Sequence, residues 1–143
     1  AAASMGATAF QKGLGGVHAI AHPVGSWFNT HHGLTNAVIL PYVMAFNRNA
    51  IADQAEVIAR VLGLPAGGFQ GLHAWVLEFR RDLGIPHSLA EIGVSSGNAA
   101  IIGREAELDP SAGGNPIPVV AAQLEHIFRA AVEGRLESVE CPA

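Results

Sequence analysis

LGGVHAIAHPVGSWFNTHHGLTN, residues 14–36, is the stretch on which the reading of this chain turns. It holds four of the seven histidines, His18, His22, His31 and His32, set among Gly15, Gly16, Gly25 and Gly33 with no acidic or basic residue. Val17, Ala19, Ile20 and Ala21 make the lead-in apolar. On a helix, His18 and His22 fall at i and i+4, on one face and about 6 Å apart at Cβ. Pro23 is expected to kink or end that helix, and Gly25 to Thr30 to carry the chain round to His31 and His32. The residues alone leave two readings open. Either the imidazoles are hydrogen-bonded core groups, or they form half of a metal or catalytic site on a dry, Gly-lined face.

Outward from this stretch the pattern is helical. Residues 1–12 are small and helix-forming, with Met5, Ala9 and Phe10 spaced for one face and Gly13 as the break. Leu34 to Phe46 is apolar nearly all round, which places it at the centre of a domain, and Pro41 should bend it. Ile51 to Leu62 reads as amphipathic through Ile51, Ala55, Ile58 and Leu62, with Gly63 and Pro65 as stops. Phe69 to Leu83 repeats the design with Leu72, Trp75, Val76, Phe79 and Leu83, and Arg80 and Arg81 sit in the last turn, where cations suit the helix dipole. Ser88 and Glu91 have the spacing of a capping box, and Ser96 or Asn98 can cap a helix running to Leu108. Asp109–Pro118 is a Pro/Gly loop, and Val119 to Gly134 forms the last helix through Val120, Leu124, Ile127, Phe128 and Ala131. No stretch alternates as a strand does. The expected fold is all-α, a compact domain of seven or eight helices.

Composition narrows the function classes. The 143 residues match a common domain size. Only 14% are charged, against roughly 25% in ordinary soluble domains, so the apolar excess suits a chain that packs on another domain or subunit. No apolar run approaches the ~18 residues of a membrane span. A net charge of −4 with a single lysine excludes a basic nucleic-acid face. The lone Cys141 excludes an internal disulfide and, with no signal-peptide pattern, fits a cytoplasmic protein. The start Ala-Ala-Ala-Ser, without Met, reads as that of a fragment.

Other candidates carry less. His73 and His126 read as surface residues, His87 as a loop residue beside Pro86, and Asp109 as a turn cap sooner than as a group that orients the site. With no Gly-x-Ser-x-Gly elbow, and Cys141 in the terminal tail, nucleophilic catalysis has no candidate.

The run GLGGVHAIAHPVGSWFNTHHGLTNAVILPYVMAFN resembles the second signature of the iron-containing (group III) alcohol dehydrogenases: His-x3-His-Pro-Leu-Gly, a turn, His-Gly, and an apolar helix ending in Leu-Pro. Asn115-Pro116, after a small-residue loop, also fits. The resemblance covers most of the chain and is densest over 13–47. It implies the dehydroquinate-synthase-like helical domain of that family. It further implies that His18 and His32 are metal ligands, whereas spacing alone favours His18 with His22. His22 is implied to be catalytic, beside the reacting carbon and nicotinamide. Trp27 and Phe28 are implied to wall a substrate pocket, or else they anchor their turn to the core.

The chain departs from the pattern at Val24, where Leu is usual, and at His31, where Pro is usual, which adds an imidazole next to His32. The implied cofactors are Fe(II), with Zn(II) as a substitute, and NAD or NADP in the full-length enzyme. The implied partners are a small alcohol or aldehyde, a homo-oligomer, and an N-terminal nucleotide-binding domain. That domain and an Asp and His ligand pair four residues apart have no counterpart here: none of Asp53, Asp82 and Asp109 has His four residues on. Residues 1–143 are therefore expected to be the C-terminal helical portion of such an enzyme. The rival reading is a helical metal-binding or oligomerisation module without activity.

Overall fold

The structure, a computed structural model, describes residues 1–139 and Pro142, and the backbone alone of Ala2. Cys141 lies outside the described residues. Among the described residues the chain is all-helical, with seven α-helices and no strand: α1 (Ala2–Phe10), α2 (Gly16–Phe28), α3 (His32–Phe46), α4 (Ala52–Val61), α5 (Gly68–Asp82), α6 (Ala99–Leu108) and α7 (Ala121–Glu133). Short 3-10 turns fill the connections at Ala90–Ile92, Ser96–Asn98, Pro110–Gly114 and Leu136–Ser138. None of these helices is long and apolar enough to cross a membrane.

The core lies where α2, α3, α6 and α7 meet. Ile20, Val24, Ile39, Tyr42, Ile102 and Phe128 are among its fully buried side chains, with Leu89 and Val94 closing one end. Glycine sets the closest approach: a Cβ on Gly103 of α6 would stand 2.6 Å from the Ala121 carbonyl of α7, so only a bare Cα lets these backbones pack together. Tyr42 donates its hydroxyl to the His87 carbonyl at 2.8 Å, and burial pushes its phenol up to about 12.

Pro23 does not end α2. The helix runs on to Phe28 and closes at Asn29, whose φ of 51° is the left-handed conformation that Asn tolerates at a helix end. Pro23 removes one backbone donor from the helix, but its ring is buried with Ala19, Ile20, Ala21 and Val24. That packing outweighs one missing hydrogen bond, so the turn shrinks to residues 29–31.

Pro41 poses the same problem inside α3 and meets a different solution. Its missing N–H frees the carbonyl of Ala37, four residues back. Arg80, reaching over from α5 and only 5% exposed, donates Nη1 to Ala37 O at 3.2 Å and to Val38 O at 2.7 Å. His73, read as a surface residue, instead lies half-buried on Phe69 with Nε2 donating to Pro41 O at 2.9 Å. Burial and the nearby Arg80 charge hold the His73 imidazole below its ordinary pKa, although the Pro41 bond favours its charged form. Arg80→Met should therefore destabilise the chain by about 2–3 kcal/mol, the cost of orphaning a buried carbonyl together with a charge-assisted bond. Urea unfolding followed by circular dichroism checks this, and a loss under ~1 kcal/mol would mean that water replaces the guanidinium.

The buried face of α4 differs from the expected one. Ala55 and Ala59 pack on α5, whereas Ile58 is 44% and Leu62 45% exposed. Two alanines let α4 and α5 approach closely, which turns the larger residues outward. Met5 and Phe10 of α1, and Phe79 and Leu83 at the end of α5, are exposed as well. The Ser88–Glu91 pair forms half of a capping box: Ser88 N and Oγ both donate to Glu91 Oε1, at 2.8 and 2.9 Å, and only a 3-10 turn follows.

The loop before α7 is stitched back onto the start of α2. Asn115 Oδ1 accepts from Gly16 N at 3.2 Å and from Asn47 Nδ2 at 2.9 Å, while Asn115 Nδ2 donates to Asn47 Oδ1 and to the Ile117 carbonyl. One side chain thus ties the first turn of α2, the end of α3 and the loop that carries Asp109.

Candidate metal centre

The α2–turn–α3 hairpin brings three imidazoles together. His18 and His22 project from successive turns of α2, and His32 opens α3. Ring centres lie 5.3 Å apart for His18–His32, 5.8 Å for His18–His22 and 5.4 Å for His22–His32. His31 is turned away: as the residue that caps α3, its Nδ1 accepts from Leu34 N at 3.3 Å. The same hairpin is pinned by Thr35, whose buried Oγ1 lies 2.7 Å from Thr30 Oγ1 and 3.1 Å from the His31 carbonyl.

Distances and ring angles separate the three pairs chemically. A divalent ion about 2.1 Å from two imidazole nitrogens sets the ring centres roughly 5 Å apart with their in-plane lone pairs convergent. His18 and His32, at 5.3 Å and tilted by 52°, have that spacing. His22 and His32 are stacked at 14°, so their in-plane lone pairs run side by side and cannot meet. A third observation marks the meeting point. Asn36, on the turn of α3 after His32, places Nδ2 3.2 Å from His18 Nε2 and 3.0 Å from His32 Nε2. Both Nε2 atoms therefore lie within hydrogen-bond distance of one amide nitrogen, close to a common point. Among the described residues, no group of three or more His, Cys, Asp or Glu is arranged to hold a metal ion.

His22 is engaged elsewhere. Its Nδ1 donates to Asp109 Oδ2 at 2.8 Å, and Asp109 Oδ1 accepts from Ser111 N at 2.8 Å. Asp109 thus both caps its turn and holds an imidazole of the cluster, the favoured and the less favoured of the two roles its sequence offered. Partial burial alone would push its carboxyl up, but the bonds from His22 and Ser111 outweigh that and hold it below the ordinary carboxylate value. His18 is held below the ordinary imidazole value, chiefly by burial and then by the neighbouring His32 and His22, with Asp109 opposing. Neutral rings of this kind are the ones that ligate metals.

The remaining candidates lie outside the cluster. Trp27, in the last turn of α2, donates Nε1 to Glu105 Oε2 of α6 at 2.9 Å, and Phe28 packs on the core, so both serve as anchors. His87 joins Arg80 to the Gly134 carbonyl, and His126 bonds the Ser138 carbonyl. A cleft of about 440 Å³, lined by Phe10, Leu14, Val17 and Leu40, opens beside His18 and Asn36.

Comparison with known proteins agrees with this architecture. The family model described as Fe-containing alcohol dehydrogenase family, C-terminal, matches residues 1–132. The chain belongs to that family. Lactaldehyde reductase of Escherichia coli (strain K12) is 34% identical over 125 residues, covering 83% of this chain and 33% of that protein. Long-chain-alcohol dehydrogenase 1 of Geobacillus thermodenitrificans (strain NG80-2) is 31% identical over 134 residues, covering 89% of this chain and 34% of that protein. Among solved structures, a 1,3-propanediol oxidoreductase superposes with a TM-score of 0.77 at 31% identity, over 82% of this chain and 32% of that one. This member of the Fe-containing alcohol dehydrogenase family thus spans about a third of the length of the curated relatives it matches.

Proposed function

We propose that this chain is the metal-holding helical part of an NAD(P)-linked alcohol dehydrogenase that interconverts alcohols with aldehydes or ketones by hydride transfer. The observation that carries the reading is the convergence of His18 and His32 Nε2 on one point, with the His22–Asp109 pair beside it. His18 and His32 supply two ligands for Fe(II), for which Zn(II) can substitute. When bound, such an ion lowers the pKa of an alcohol hydroxyl and polarises the carbonyl in the reverse direction.

The other steps fall to this chain's own side chains. Asp109 accepts from Nδ1–H of His22 and so leaves Nε2 as the basic nitrogen, able to take the hydroxyl proton or pass it to solvent. The largely apolar cleft beside His18 offers a surface for an alkyl group. The hydride acceptor, NAD or NADP, and two further ligands come from an N-terminal nucleotide-binding domain. The exposed apolar residues of α1, α4 and α5 suit packing against that domain or a second subunit, in a cytoplasmic homo-oligomer.

The longer gene product, loaded with Fe(II) and given NAD or NADP, should reduce its nicotinamide with small alcohols, as read by absorbance at the reduced cofactor's band. The 143-residue chain alone should show no turnover, because it supplies two imidazole ligands while the nicotinamide is held by the N-terminal domain. Turnover by this chain alone, or none by the longer product, would overturn the reading.

A further inference from the structure

We propose that the outer face of α4 is a self-docking surface, on which a second copy of this chain lays its own α4 antiparallel about a two-fold axis. The proposal goes beyond the dehydrogenase reading and does not depend on it: it commits this face to a second copy and uses no residue of the metal centre. α4 packs on α5 through Ala55 and Ala59, while Val57 is 56% and Val61 80% exposed, with Ile58 and Leu62 beside them. Each of the pairs Val57–Val61 and Ile58–Leu62 is spaced i, i+4, so the four side chains form one stripe along the helix. Scattered surface hydrophobics need no explanation, but a continuous stripe marks a contact surface.

Charge selects the occupant. Asp53 and Arg60 lie seven residues apart, two turns along the same flank of the stripe and towards its opposite ends. Arg60 is exposed and reaches Glu56 only at 3.5 Å, and the Asp53 carboxylate has no hydrogen bond or ion pair among the described residues. A two-fold axis through the middle of the pair keeps this flank on the same side of both helices and reverses its ends. Asp53 of each copy then meets Arg60 of the other, and the helix dipoles oppose. A parallel pair would instead set Asp53 on Asp53 and Arg60 on Arg60. Shape agrees with charge. A shallow hollow of about 440 Å³, lined by Asp53, Gln54, Val57 and Ile58, occupies the N-terminal half of the face, and Val61 and Leu62 project from the C-terminal half. The antiparallel arrangement seats the projecting half of each helix in the hollow of the other, as knobs enter holes. Two turns of one helix make a small contact against the ~800 Å² per partner of a standard interface, so it loosens on dilution.

Sedimentation velocity on the longer gene product, over a range of concentrations, tests this, with circular dichroism to show that each variant is folded. Wild type should associate as concentration rises. Val61→Glu, which plants a carboxylate in the stripe, should abolish that step. Asp53→Arg and Arg60→Asp each turn two attractions between copies into repulsions, and each should weaken association about tenfold. The double variant Asp53→Arg/Arg60→Asp restores both pairs with their signs exchanged. An equal mixture of the two single variants makes the same complementary pairs between unlike copies. Both should recover wild-type association. A wild type of constant size at every concentration, or single reversals that the double variant fails to rescue, would overturn the proposal. So would a lower thermal midpoint for Val61→Glu at a dilution where nothing associates, since that result places the N-terminal domain over α4. Turnover and iron content play no part in these readouts, so failure here leaves the dehydrogenase reading untouched.

Discussion

A Gly114→Ala chain should lose more than about 4 kcal/mol of stability, in the range reserved for severe single substitutions. Gly114 closes the 3-10 turn Pro110–Gly114, and a Cβ there would lie 1.9 Å from the Leu14 carbonyl oxygen and 3.1 Å from its carbon. Backbone cannot rotate away as a long side chain can, so the loop must lift off the start of α2. Lifting it breaks the Asn115 bonds to Gly16 and Asn47 and draws Asp109 away from His22. The neighbouring glycine supplies the control, since a Cβ on Gly113 meets nothing within 4 Å. Gly113→Ala should stay within about 0.5 kcal/mol of wild type. Thermal unfolding followed by far-ultraviolet circular dichroism reads both, and a Gly114→Ala midpoint within about 3 °C of wild type would show that the loop docks with more freedom than these distances allow.

That loop also shows how far the sequence could be read. The helices themselves were legible, because apolar spacing gives their faces and Gly and Pro punctuate their ends, so an all-α fold follows from pattern alone. What escaped depended on partners distant in sequence. Pro23 read as a kink or a stop because its lost hydrogen bond is a local fact, whereas the packing that keeps α2 helical is not. The α4 face was misread because hydrophobicity does not say which apolar residues meet the neighbouring helix, and Ala55 and Ala59 allow a closer approach than Ile58 and Leu62. Arg80 read as a cation at a helix end, yet its burial answers the carbonyl that Pro41 frees in another helix.

The site divides the same way. The His18, His22 and His32 cluster was visible from one contiguous stretch. Resemblance, not spacing, paired His18 with His32, and the ring centres of His18 lie at similar distances from His32 and from His22, 5.3 and 5.8 Å. Asn36 left one weak trace, its spacing of four from His32, and meant nothing until the hairpin set His18 opposite it. Asp109 lies 87 residues from His22, and no local pattern announces such a pairing.

The roles assigned to the three imidazoles predict divergent fates for iron and turnover in the longer enzyme. His18→Ala and His32→Ala should lose iron and turnover together, since each removes a first ligand and the remaining imidazole of the pair holds a divalent ion far less tightly. His22→Ala should keep its iron and lose turnover by about 10²–10⁴-fold, the range for removing a general acid–base group. Asp109→Asn keeps the shape of the His22 contact but offers no anionic acceptor for Nδ1–H. It should retain iron and slow turnover by roughly 10–100-fold, as losing an orienting partner does elsewhere. Iron content by atomic absorption, measured on the same samples as alcohol-dependent reduction of NAD(P), separates these outcomes. If His22→Ala and His18→Ala shed iron equally, His22 is itself a ligand, and the division of roles among the three imidazoles fails.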